Sequence, residues 1–197
     1  VEDDELTSHL DDSMYEICYI SIPLYNTSTY AFANDDQKAK MLRLAQTAAD
    51  SVNAAGGETV SDQVSALHEA AQNALPDIYA VLGSTPSDTN VQTELLGAST
   101  LDSTFTQDGA ADTIRSLAYG QAAAVQYSSY AMMLALRVDP LSVASLDDLR
   151  DQVLTDMKTS ELKTALSDYG ASLENHLDTS AMNKLPCLLY TSPSPRD

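Results

Sequence analysis

The sequence predicts an all-α protein: a multi-helix bundle of six to seven helices around a central helix at about residues 108–138. Three observations carry that expectation. The stretch from Ser116 to Leu136 holds no charged residue and lies between Arg115 and Arg137. Within and beside it, Ile114, Leu117, Ala118, Val125, Met132 and Leu136 recur at helical spacing, as on a buried helix face. Most other segments carry a similar apolar stripe between helix start and stop signals.

The central element is bounded by Asp108 or Asp112, which can accept from free N–H groups of a first turn, and by Pro140, which cannot continue a helix. Gly120, Ala124 and Ser128 fall four apart and would let a neighbouring helix approach closely. Gln121, Gln126, Ser128, Ser129 and three tyrosines dilute the run. A membrane span wants about 20 predominantly apolar residues, so a buried helix is expected instead.

At the start of the chain, Leu6, Leu10, Met14, Ile17 and Ile20 step by three or four and favour a helix. The rival reading is a strand from Met14 to Leu24, because Ile17, Tyr19, Ile20 and Ile22 suit a pleated surface. Tyr25 to Asn34 reads as a polar connector, and Asn26-Thr27-Ser28 matches a glycosylation acceptor. The next helix starts at Asn34 or Asp35, carries Met41, Leu44, Ala45, Ala48 and Val52, and closes at Gly56-Gly57. Lys38, Lys40 and Arg43 on it read as a solvated face.

Thr59 or Ser61 starts a third helix, broken or kinked at Pro76 and continued to Gly83. A short helix with Val91, Leu95 and Leu96 is expected before Gly97, and a polar loop pinned by Phe105 from Ala98 to Gln107. Ser145 and Asp148 have capping-box spacing ahead of Leu146, Leu149, Val153 and Met157. A separate last helix is expected from Ser160, with Leu162, Leu166, Tyr169, Leu173 and Leu177 close to a heptad seam.

Composition narrows the partners. The chain of 197 residues has 29 acidic against 10 basic residues, a net charge of −19. That field opposes nucleic acid, whose phosphates need cationic neutralisation, and anionic lipid. It favours cationic partners or a salty medium. Cys18 and Cys187 with three scattered histidines make neither a disulfide framework nor a zinc site. Cys18 reads as a small buried hydrophobe.

The last eleven residues, Cys187 to Asp197, resemble the in-frame translation of a transposase-type sequencing adapter, matching it in order. The resemblance implies a single helical domain over 1–186, truncated at one or both ends, with 187–197 outside fold reasoning. The chain also begins at Val1 rather than Met, so an anchor or signal segment beyond either end is compatible with it.

Phosphate loops, H-E-x-x-H, Glu-x-x-His, calcium loops and G-x-S-x-G are all absent from the sequence. No catalytic residue, metal ligand or cofactor is therefore assigned. The expected function is a non-catalytic acidic module for protein interaction, scaffolding or extracytoplasmic sensing. The alternative is a small-ligand or pigment binder using Tyr119, Tyr127 and Tyr130. An enzyme built on His68 or His176 ranks third, and His9, in the acidic lead-in, ranks lowest of the histidines. An interaction module should expose an apolar patch, a binder should enclose an aromatic pocket, and an enzyme should pair a histidine with a carboxylate in a cleft.

Overall fold

The computed structural model describes residues 1–86 and 90–172. By its contacts the chain divides into two units, Val1–Ser160 and Glu161–Asp197. The first unit is not all-α. It is a four-stranded antiparallel sheet with helices on both faces. In chain order the elements are α1 (Asp3–Ser13), β1 (Met14–Pro23), α2 (Asp35–Ala55), α3 (Val60–Ala80), β2 (Gln92–Gly97) and α4 (Ala98–Thr104). Then come α5 (Ala110–Ser116), β3 (Ala122–Gln126), β4 (Ala131–Val138), α6 (Pro140–Val143) and α7 (Leu146–Ser172). The sheet order is β2-β1-β4-β3, with every neighbouring pair antiparallel.

The expected central helix is in fact one short helix and a hairpin. Only Ala110–Ser116 is helical, and the remainder is β3, a turn at Ser128–Tyr130, and β4. The physical reason is two-sided burial. Met132, Leu134, Leu136 and Val138 face α2 and α3, together with Cys18, Ile20 and Ile22 of β1. Met133 and Ala135 face α4 and α5, with Tyr15, Ile17, Ala123 and Val125. A strand buried on both faces is apolar at nearly every position. Any such run contains a helical stripe, and periodicity alone cannot separate the two. Gly120, at φ 80°, then turns the chain into β3, and its N–H donates to Arg137 O at 2.7 Å.

The Met14–Leu24 segment follows the strand reading rather than the preferred helix. Register pairs Cys18 with Leu136 and Ile20 with Leu134, so large side chains of one parity meet on one face. Leu6 and Leu10 remain helical in α1 and pack with Met14 and Val153 in a third cluster. Val91, Leu95 and Leu96 do not form a helix, because Gln92–Gly97 is strand β2. The expected loop after Gly97 contains α4, although Phe105 does pin its end and is 4% exposed.

Local capping chemistry fared better than the global pattern. Asn34 caps α2 through a reciprocal box with Gln37, and Gly56 ends it at φ 62°. Thr59 boxes with Asp62 at the start of α3, which runs through Pro76 without interruption. Ser145 and Asp148 exchange hydrogen bonds at the start of α7. No new helix begins at Ser160, since α7 is continuous to Ser172. Of the second unit, the described part is the end of α7, where Leu162, Leu166 and Tyr169 are exposed. The seam residues Leu173 and Leu177, His176, the helix start expected at Asp88, and the 187–197 segment lie outside the described residues.

Both sheet edges are covered. At β3, Asn53 of α2 accepts from Ala122 N–H at 2.7 Å and donates to Ala122 O at 3.0 Å, and Gln46 accepts from Ala124 N–H at 3.2 Å. At β2, Gln152 of α7 donates to Leu95 O at 2.9 Å. Open strand edges template unwanted pairing, and here helix side chains occupy them.

Candidate functional site

Two surfaces in the first unit stand out. One is the turn between β1 and α2. Asn26 Oδ1 accepts from the N–H groups of Ser28 and Thr29, both at 2.9 Å, and Asn26 Nδ2 donates to Leu82 O at 2.8 Å. The amide that a glycan would occupy is thus engaged within the fold. Leu24 N–H donates to Tyr130 O at 2.8 Å, tying the turn to the start of β4. On this base Tyr25 and Tyr30 stack with ring centroids 6.3 Å apart, and Phe32 meets Tyr25 edge-on at 5.9 Å.

The rings are exposed: Tyr30 73%, Phe32 68% and Tyr130 56%. Tyr30 also has φ 58°, and no other non-glycine residue among those described has positive φ. A bulky residue in the left-handed region is uncommon, and such strain concentrates where a side chain is used.

The other surface is an open cleft of about 640 Å³. Met14, Leu95 and Gly97 form its floor, and Ser99, Thr100 and Ser103 of α4 form one wall. Asp151, Gln152, Thr155, Asp156 and Thr159 of α7 form the other. Asp156 Oδ2 lies 2.8 Å from His9 Nε2, joining α7 to α1. A Cβ on Gly97 would fall 1.8 Å from Asp156 Oδ1, so only glycine admits this carboxylate beside the strand end.

The sequence-derived candidates are dispersed. Tyr127 packs on Phe105 and shares a hydrogen bond with Ser21 Oγ at 3.1 Å, and Tyr130 lies in the β3–β4 turn. Tyr119 sits at the opposite end of that hairpin, with the Arg137 guanidinium 5.0 Å from its ring. His68 pairs with Gln72 at 3.2 Å on an exposed helix face rather than with a carboxylate. The histidine that does meet a carboxylate is His9, ranked lowest from sequence. Its partner lies 147 residues away, and neither local spacing nor motif signals the pair.

Arg137 is held between the rings of Tyr15 and Tyr119, at 4.9 and 5.0 Å, and donates to Leu117 O at 2.7 Å. It thereby satisfies carbonyls at the end of α5, a role that favours a cation. Its Nε is buried without a hydrogen-bond partner among the described residues. On β1, Glu16 is only 5% exposed, and burial pushes its carboxyl pKa up. Burial likewise raises the thiol of Cys18, which lies 3.4 Å from Thr93 Oγ1. A buried thiol held protonated is inert, in keeping with a packing role.

Among the described residues, no helix is long and apolar enough to cross a membrane. No group of three or more His, Cys, Asp or Glu among them is arranged to hold a metal ion. No protein-family model, no curated protein and no solved structure matches this chain.

Proposed function

We propose that this chain is a non-catalytic protein-interaction module whose contact surface is the aromatic turn from Tyr25 to Phe32, extended by Tyr130. The observation that carries this reading is the exposure of Tyr30 and Phe32 on a turn that Asn26 already holds rigid. Isolated exposed apolar residues are ordinary. A stacked group of them on a pre-formed turn is not, because the molecule gains nothing by leaving that ring area wet.

The turn reads Tyr25-Asn26-Thr27-Ser28-Thr29-Tyr30-Ala31-Phe32. Rigid Tyr rings with Ser, Thr and Asn around them are the composition of binding loops. The rings supply area at low entropic cost, and the small polar groups adapt their hydrogen bonds. Aromatic residues are likewise enriched at the centre of protein interfaces. The net charge of −19 favours a partner of opposite sign through steering rather than through tight contacts.

The test is to replace Phe32 with a photo-reactive phenylalanine analogue and irradiate the protein in its native medium. A discrete crosslinked partner, competed by unlabelled protein but not by a Tyr30→Gly variant, is expected. Equal labelling from an analogue placed at the exposed Glu58 overturns the reading.

A further inference from the structure

We propose that the cleft between α4 and α7 binds a small organic amine, gripped through its ammonium groups. This is independent of the aromatic turn, which uses other residues.

The argument starts from which hydrogens the cleft walls have left to give. Thr155 Oγ1 already donates to Asp151 O at 2.7 Å, and Thr159 Oγ1 donates to Thr155 O at 2.7 Å. Ser103 Oγ donates to Thr100 O at 2.9 Å, and Gln152 Nε2 donates to Leu95 O at 2.9 Å. A hydroxyl has one hydrogen and two lone pairs, and a side-chain amide has a separate carbonyl acceptor. These groups therefore present acceptors to the cleft.

Asp151 and Asp156 add acceptors that are also charged. Gly97 matters here because its missing Cβ leaves Asp156 Oδ1 against the cleft floor. His9 holds the other oxygen, Oδ2, at 2.8 Å, which fixes the carboxylate's orientation. No Lys or Arg lines the cleft.

An acceptor-lined, anionic cavity selects a ligand rich in donors and positive in charge. Phosphates and carboxylates find no counter-charge there. A bare divalent cation would want six or more oxygen ligands in a closed shell, whereas this cleft is open and its two carboxylates sit on opposite sides of one helical turn's spacing. Ammonium groups, with three donors each, suit scattered acceptors. The Met14 and Leu95 floor is apolar and suits a methylene chain between two such groups. A volume near 640 Å³ lies within the range of small-molecule sites.

The experiment is calorimetric titration of the full chain with spermidine, repeated with sorbitol as a neutral polyol of similar size. Saturable spermidine binding is expected, weakened roughly tenfold by Asp151→Asn, the effect of losing one charge-assisted contact. Asp151 is exposed, so the variant should fold normally. Asp108→Asn removes the same charge near β3, outside the cleft, and should leave affinity unchanged. Three results overturn the proposal: no saturable binding at millimolar spermidine, equal losses in the two Asp variants, or sorbitol binding as tightly as the amine. Equal losses would mean attraction to the overall negative charge.

Discussion

Replacing Tyr30 with glycine separates a ring kept for contact from a ring kept for the fold. At φ 58° the tyrosine backbone sits in the left-handed region, a strain of about 1–2 kcal/mol that glycine does not bear. Against that relief stand three losses. Glycine has more freedom when unfolded, about 0.5–1 kcal/mol. The stacking contact with Tyr25, at 6.3 Å between centroids, is worth about 0.5–1.5 kcal/mol. The ring is 73% exposed, so lost burial adds only about 0.5 kcal/mol. The terms nearly cancel, leaving a net change of about 1 kcal/mol or less. For a chain of this size that shifts the melting temperature by no more than about 4 °C. Thermal unfolding followed by circular dichroism measures it, alongside partner crosslinking from position 32. The expected outcome is a fold left intact and a partner lost. A melting temperature lowered by more than about 8 °C would show that the ring is structural, and the argument from its exposure would fail.

Three further outcomes follow from the packing. Glu16→Gln should stabilise the protein at neutral pH but not in acid. The folded carboxyl has its pKa raised above the ordinary 4.5, so its stability contribution is present below that value and is lost as pH rises through the folded pKa. Each unit of that shift is worth about 1.4 kcal/mol, and melting scans at several pH values should show the variant's advantage vanish below pH ~4.5. Leu134→Ala removes a side chain that is 2% exposed beneath α2 and α3, so it should cost about 2–5 kcal/mol, read as a lower urea midpoint. Asn53→Ala should cost about 1–3 kcal/mol by unpairing Ala122. It should also open the β3 edge, so that sedimentation shows self-association; a monomer of unchanged stability would refute the capping role.

The caps of this fold were legible, and its sheet was not. Asn34, Thr59 and Ser145 act through neighbours three residues on, so their chemistry is complete within a short window. The identity of β4 depends on what covers each face. Leu134 needs α2 and α3, while Met133 needs the α4–α5 side, and these lie in different parts of the chain. With one face wet, the strand would have alternated and declared itself. Two signals did favour a hairpin: Gly120 ahead of the run, and Ser128-Ser129 dividing it into two strand-sized pieces. Length was a third, since Ser116 to Leu136 is long for an unbroken helix in a small domain.

The candidate surfaces divide along the same line. The aromatic turn is contiguous in sequence, and its tyrosines and Asn26 were visible as a connector. Their exposure was not, because ring burial depends on whether the chain folds back over them. The cleft is a harder case. Its walls come from α4 and α7, its floor from the ends of β1 and β2, and its fixed carboxylate from a contact between positions 9 and 156. Each residue there is common in an acidic, threonine-rich chain and carries no signature alone. What gives them joint meaning is that their hydrogens already point elsewhere, into helix carbonyls and a strand edge. Donor direction is a property of the folded backbone, so the chemical preference of this cleft comes into being only when α7 is laid against β2.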